Sequence, residues 1–313
     1  MRALVKENNS VQIKTIQQPE LQNSDDVIIR VRLAGLCRTD VYVAEGKIDS
    51  PENIILGHEF SGTVFETGAA VTNVEHGDRV TVMPVIPCGK CTLCNAGQAI
   101  QCQDTQMLGI HFDGAFAEYI RVPASTVYKL PDNVSFMQGA YSEPLAATLS
   151  IINAGLKPTE KGLIYGKNRF SKLIKRILNA KGFKDITIFD PQANTSIAKN
   201  KYDFAIETLA NEDMINTLIQ TVKPQGKIII KSRMHNLVGV KFNDLVMKEI
   251  TLKAVNYASL NDVLPFLAEH HHLLEGLMGN VYTLDQYESV FKRAKNHEDQ
   301  KTFFTLENGS CAD

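Results

Sequence analysis

Four cysteines in one loop, Cys88, Cys91, Cys94 and Cys102, are spaced C-x2-C-x2-C-x7-C. Thiolate is a soft ligand, zinc takes four ligands at tetrahedral corners, and short Cys-x2-Cys steps let a turning backbone wrap one ion. The alternatives are two disulfides or four buried thiols, but the surrounding Gly, Asn, Lys and Gln residues would leave such a loop with little else to hold it. A closed set of four thiolates offers no open position to a substrate, so this zinc is structural. The chemistry must lie elsewhere.

A second set of candidate ligands precedes it. Gly35-Leu36-Cys37-Arg38-Thr39-Asp40 supplies a thiolate and a hydroxyl, and Gly57-His58-Glu59 follows about twenty residues later with an imidazole and a carboxylate. A Cys, a His and a carboxylate around one ion with a free position are the ingredients of a catalytic zinc. Alone, either a Cys or a His is more often core filling. Asp40 is placed to accept from the second ring nitrogen of His58 and fix its tautomer, or to cap a turn.

Read jointly, G-x-C-R-T-D, G-H-E, Gly77-Asp78-Arg79-Val80 and the four-cysteine loop resemble, in this order and spacing, the zinc-containing medium-chain alcohol dehydrogenase family. The resemblance runs from the first residues to about Lys301. It implies Cys37 and His58 as zinc ligands. Ser142-Glu143-Pro144-Leu145-Ala146 is similar to the E-P-L-A segment of polyol and threonine dehydrogenases, where a carboxylate fills a ligand position that other members give to cysteine. Glu59 and Glu143 can then alternate, one on the zinc and the other holding its water. The resemblance also implies that Thr39 passes on the substrate proton, and it counts Arg38 among the cofactor contacts. The family often has His five residues after the ligand cysteine; here that position is Tyr42, whose phenol hydrogen-bonds but rarely titrates near neutral pH.

The nucleotide fingerprint departs from the pattern. A G-x-G-x-x-G turn lets backbone approach the pyrophosphate and helix approach sheet, but this chain has Gly166-Lys167-Asn168-Arg169-Phe170-Ser171. Only the first glycine stands. Either Lys167 and Arg169 grip phosphate by charge in place of close backbone approach, or the site no longer holds a dinucleotide. Asp190, at the end of the next predicted strand, is placed to accept from the ribose hydroxyls, which favours NAD over NADP.

These residues need two kinds of scaffold. Short alternating strands, Ala3 to Lys6, Val11 to Thr15, Val27 to Leu33, Gly62 to Thr67, Arg79 to Met83 and Ala117 to Val122, predict a partly closed antiparallel barrel. From about Gly139 the period turns helical. Strands at Gly162 to Tyr165, Ile186 to Phe189, Phe204 to Glu207, Lys227 to Lys231 and Ile250 to Val255 then alternate with helices at Ser171 to Ala180, near Ile197, and at Asp213 to Val222, the pattern of βαβ units and a parallel sheet. Only about eleven residues separate Asp190 from Tyr202, room for one crossover unit of about ten to twelve residues. The sheet should therefore lack one strand and one helix on the adenine side. A helix around Leu264 to Glu269, another from Leu284 to Ala294 and a strand at Thr302 to Leu306 complete the chain. The expected fold class is α/β, a chaperonin-10-like β-barrel catalytic domain (1–146 and 268–313) with a Rossmann-type domain (147–267) inserted in it.

Composition excludes other classes. Thirty-three basic and 35 acidic residues give a net charge of −2 over 313 residues, interspersed and not in blocks, so neither nucleic acid nor an anionic membrane is an expected partner. No segment has signal-peptide or membrane-span character. Cysteines committed to metal fit a reducing, cytoplasmic setting; Cys311, in the tail, reads as a surface thiol. His270-His271-His272 is not read as a metal site, because adjacent residues on a helix point in different directions. The expected function is hydride transfer between a small secondary alcohol, polyol or hydroxy acid derivative, or the matching carbonyl, and NAD, by a homodimer or homotetramer with one catalytic and one structural zinc. The alternative is a zinc protein of the same fold that has lost dinucleotide binding and works as a non-redox enzyme or partner subunit.

Overall fold

The computed structural model describes residues 1–8, 10–194, 196–209, 211, 213–233, 237–294 and 300–306. Cys311 lies outside these residues. The chain divides into two compact units, 1–145 with 259–313, and 146–258. The second crossing comes earlier than the expected 267/268, because the helix Leu260–Glu269 already belongs to the first unit, to which Asn133 Nδ2 ties it by donating to the Ala268 carbonyl at 2.9 Å.

The first unit is built on a seven-stranded sheet. Its order is Val127–Lys129, Arg79–Val82, Glu59–Thr67, Asp26–Gly35, Lys301–Thr305 and Met278–Thr283, with Tyr119–Pro123 also pairing Asp26–Gly35. A three-stranded sheet of Ser10–Thr15, Arg2–Glu7 and Ile54–Ile55 accompanies it. Val27, Ile29, Val31, Phe60, Val64, Phe116 and Phe304 are fully or almost fully buried in one core, each such side chain contributing about 1.5–3 kcal/mol by leaving water. The strand Lys301–Thr305 brings the end of the chain back beside Asp26–Gly35, antiparallel, with Phe303 opposite Gly35.

The second unit is a five-stranded, all-parallel sheet in the order Ile186–Phe189, Gly162–Tyr165, Tyr202–Glu207, Val222–Ile230 and Thr251–Ala254. Gly162–Tyr165 and Tyr202–Glu207, in the middle of the sheet, are largely buried, as parallel strands covered on both faces must be. Ile186–Phe189 ends the sheet on the side where a further strand-helix unit was expected to be missing. The helix Arg169–Ala180 buries Leu173, Ile174, Ile177 and Leu178 against the sheet, and Met214–Thr221 buries Ile215, Leu218 and Ile219. The expected helix near Ile197 does not form; Ser196 to Lys201 is irregular, apart from a turn at Lys199 and Asn200. The chain from Asp190 to Tyr202 makes its crossover through turns and irregular backbone among the described residues. The α/β class, with a β-sheet unit built from 1–145 and 259–313 and a Rossmann-like parallel sheet, is as the sequence indicates.

Candidate active site and metal centres

The four-cysteine loop forms a compact cluster, with the four sulfurs within 4.8 Å of one another. Cys91 Sγ lies 3.5 Å from Cys94 Sγ and 3.8 Å from Cys102 Sγ. Zinc–sulfur bonds of about 2.3 Å at tetrahedral angles place sulfurs about 3.8 Å apart, whereas a disulfide needs about 2.05 Å. The cysteines are free thiols, so the disulfide alternative is excluded. Backbone N–H groups of Cys88 and Asp104 donate to Cys102 Sγ at 3.3 and 3.4 Å. Those of Cys94 and Gln103 pull the Cys91 thiol down to about 6, while burial and the neighbouring sulfurs push Cys94 up to about 12. Four crowded sulfurs, some disposed to ionise and another opposed by its neighbours, fit a divalent cation that neutralises them together.

In the second cluster the ligand atoms of Cys37, His58 and Glu59 also lie within 4.8 Å of one another. Local structure places each one. Cys37 is the N-cap of the helix Arg38–Ala44, and Asp40, three residues on, accepts the Cys37 N–H at 2.8 Å in a capping box. The other oxygen of Asp40 accepts from the Gly57 N–H at 3.2 Å and lies 3.0 Å from Nδ1 of His58. With Nδ1 committed to Asp40, Nε2 is the nitrogen left for a metal. Asp40 is fully buried, His58 and Glu59 nearly so. Burial would raise the Cys37 thiol, but the hydrogen bond and charge of His58, aided by Lys301, bring it to about 7. Burial opposes a charge on His58, yet Asp40 and Cys37 hold its pKa well above the usual value. The donor set of thiolate, imidazole and carboxylate suits zinc.

Thr39 Oγ1 stands 3.6 Å from Cys37 Sγ. Tyr42 lies on the same helix, its ring faced by Lys47 Nζ at 5.5 Å. Arg38 opens that helix. Glu143 is buried on the first turn of the helix Ser142–Leu149 and is not among the three clustered donors. No His270–His272 group with metal-ligand geometry occurs among the described residues.

In the second unit the degenerate loop keeps its turn. Gly166 has φ +112°, and a Cβ there would meet Thr208 Oγ1 at 2.6 Å, so this position requires glycine. Asn168 caps the helix Arg169–Ala180: its Oδ1 accepts the Ser171 N–H at 3.0 Å and its Nδ2 donates to the Thr208 carbonyl at 2.9 Å. Ser171 is fully buried, donating to the Gly166 carbonyl at 2.7 Å and accepting the Asn168 N–H at 3.3 Å. The Asn168 side chain thus folds back beneath the loop, where its Oδ1 takes up the Ser171 amide. Arg169 Nε is buried without a hydrogen-bond partner. Lys167 Nζ lies 3.5 Å from Asp190 Oδ2.

A family model for the alcohol dehydrogenase GroES-like domain matches residues 23–132. The Aspergillus clavatus protein named Probable D-xylulose reductase A is 28% identical over 323 aligned residues, covering 91% of this chain and 90% of the relative. The 2R,3R-butanediol dehydrogenase of Bacillus subtilis superposes with a TM-score of 0.87 at 25% identity, covering 98% of this chain and 99% of that one. A protein from Sinorhizobium meliloti 1021 assigned as a zinc-binding dehydrogenase, bound to NADP, shares the fold with a TM-score of 0.88 at 24% identity, over 97% and 98% of the two chains. Over residues 23–132 the chain matches the alcohol dehydrogenase GroES-like domain, and across its length it is similar to proteins named as reductases and dehydrogenases.

The site also carries a residue that sequence reasoning passed over. Lys301 is fully buried and ion-paired with Glu59; burial brings its amine down to about 8. The signal was a lysine heading the apolar run Phe303-Phe304, but only the sheet register shows that it faces Glu59.

Proposed function

We propose that this chain transfers a hydride between NAD and a small secondary alcohol, polyol or hydroxy acid derivative. One zinc is held by Cys37, His58 and a carboxylate from Glu59 or Glu143, and a second, structural zinc by Cys88, Cys91, Cys94 and Cys102. The observation that carries the reading is the buried Cys37–His58–Glu59 donor group with Asp40 bonded to the far nitrogen of His58. Zinc in such a site supplies Lewis acidity, favouring loss of the alcohol proton in one direction and polarising the carbonyl in the other.

The chain's own residues supply the rest. Asp40 fixes the His58 ring; Thr39 hands the hydroxyl proton on, with Tyr42 as a hydrogen-bonding neighbour on the same helix. Gly166, Lys167, Asn168, Arg169 and Ser171 would face the dinucleotide phosphates, Asp190 the ribose, and Arg38 is carried over from the family as a further contact. The orphaned Arg169 Nε fits an anionic group. An acidic Asp190 accepts from ribose hydroxyls and repels a 2′-phosphate, which supports NAD. The dinucleotide supplies the hydride acceptor.

We place the enzyme in the cytoplasm, where thiols stay reduced for metal, as a homodimer or homotetramer. Among the described residues no helix is long and apolar enough to cross a membrane. The test is calorimetric titration with NADH, then turnover of D-xylulose with NADH and of 2,3-butanediol with NAD. Tight NADH binding with turnover of either substrate supports the reading. Zinc at both sites without dinucleotide binding would instead favour the non-redox zinc protein of the same fold.

A further inference from the structure

In the second unit the strands Gly162–Tyr165 and Ile186–Phe189 run side by side, with Tyr165 opposite Phe189. The two rings stack with centroids 5.7 Å apart, and the Gly166 N–H donates to the Phe189 carbonyl at 2.9 Å. Both strands end there, and this register holds Lys167, just past one end, beside Asp190, just past the other. Lys167 Nζ lies 3.5 Å from Asp190 Oδ2, and Asp190 Oδ1 accepts the Gln192 N–H at 3.0 Å. The Asp190 carbonyl also accepts the Asn194 N–H at 3.0 Å, so the carboxylate is anchored in a turn. Its side chain is 20% exposed and that of Lys167 63%. Asp190 follows the outermost strand of the sheet, and among the described residues no further strand of it pairs on that side.

We propose that Lys167 sets cofactor specificity at the adenosine ribose, and that the chain accepts a 2′-phosphorylated dinucleotide, NADP, alongside NAD. This rests on the reading of the second unit as a dinucleotide site. A lone acid after this strand selects NAD in two ways: its oxygens accept the ribose hydroxyls, and its charge repels a 2′-phosphate. Lys167 weakens both. One Asp190 oxygen already accepts a backbone N–H and the other faces an ammonium, which leaves the carboxylate less to offer a ribose hydroxyl. The pair is also neutral as a whole, which cancels the repulsion. A phosphate monoester carries about −1.5 to −2 charge at neutral pH, more than a carboxylate, and draws the ammonium to itself. Lysine suits this exchange, because its charge rides on a flexible four-carbon stem with three rotatable donors. It turns to a phosphate beside Asp190 without leaving the carboxylate unpaired.

The experiment reads binding and not turnover. Nicotinamide fluorescence measures NADH and NADPH, and calorimetry measures 5′-AMP and adenosine 2′,5′-bisphosphate, which differ only in the 2′-phosphate. The parent should bind NADPH within about tenfold of NADH. Lys167→Met, on an exposed side chain, should weaken NADPH and the bisphosphate by about tenfold, the size of one lost charge-assisted contact, while NADH and 5′-AMP change by no more than about twofold. Lys167→Arg should keep the parent ratio, and Asp190→Asn should shift it further towards NADPH. A parent preference for NADH beyond about a hundredfold overturns the proposal. So does a Lys167→Met variant that leaves NADPH binding unchanged, or one that weakens all four ligands alike, which would make Lys167 a general phosphate contact. Binding of neither NADH nor NADPH by the parent would instead defeat the dinucleotide reading itself.

Discussion

Asp40 Oδ1 and His58 Nδ1 lie 3.0 Å apart, and the other oxygen of the same carboxylate accepts the N–H of Cys37. One buried side chain thus sets the ring of one proposed ligand and the backbone of another. Asp40→Ala should lower zinc affinity at this site by about 10–100-fold, the usual cost of losing a partner that orients a ligating histidine. Competition with a chelator measures it. The ion at Cys88–Cys102 should be unaffected, and loss of both ions together would mean that the variant had unfolded.

The structural ion has its own test. Cys91→Ser should leave one zinc per chain by elemental analysis, where the parent has two. It should also lower the melting temperature by about 5 °C or more, the shift that a loss of roughly 2 kcal/mol produces in a unit of this size. An unchanged zinc count would remove the assignment. Cys37→Ser should lose the other ion and leave the melting temperature nearly unchanged.

Much of this was legible because metal sites and alternating strands leave local marks. The C-x2-C-x2-C spacing confines four sulfurs to one loop whatever the rest of the chain does, and Asp40 lies in the same helical turn as Cys37. The missing unit of the parallel sheet could be read from the short span between Asp190 and Tyr202. Long-range register left no such mark. Lys301 meets Glu59 only because the last described strand returns beside Asp26–Gly35. The fold-back of Asn168 onto Thr208 likewise depends on where the strand Tyr202–Glu207 ends.

For the proposed oligomer, the sheet of the second unit offers a surface to test. Val222–Ile230 is an interior strand of the parallel sheet. Of the two sheet edges, Ile186–Phe189 and Thr251–Ala254, the second is exposed at every residue. Leu252 is 45% exposed, and Phe242, Val246 and Met247 on the preceding helix are 69%, 67% and 76% exposed. An open apolar strand edge is a template for pairing with another copy. Light scattering should give two or four times the 34.7 kDa of one chain, and Leu252→Lys should shift the mass towards the monomer. A parent mass near 35 kDa at micromolar concentration would contradict the oligomer.

The nucleotide loop gives the most discriminating prediction, because charge and backbone geometry there make opposite demands. If Lys167 and Arg169 replace close backbone approach, NADH binding should weaken several-fold between about 50 mM and 500 mM salt, since exposed charges are screened over a Debye length of about 8 Å even at physiological salt. Arg169→Gly loses a charged contact and should weaken binding further. Asn168→Gly acts differently. It gives up the cap on Ser171 and the bond to Thr208, about 1 kcal/mol of stability, but it returns the Ser171 amide to the loop. If the capped loop is what limits binding, Asn168→Gly with Arg169→Gly should bind NADH more tightly than the parent and with less salt dependence. Fluorescence titration of the parent and the three variants separates the cases. Tight, salt-insensitive binding by the parent would show that the side-chain cap yields to the cofactor without cost. No binding by any of the four would place the defect at the shortened edge of the sheet, beyond Ile186–Phe189, where the adenine would have to sit.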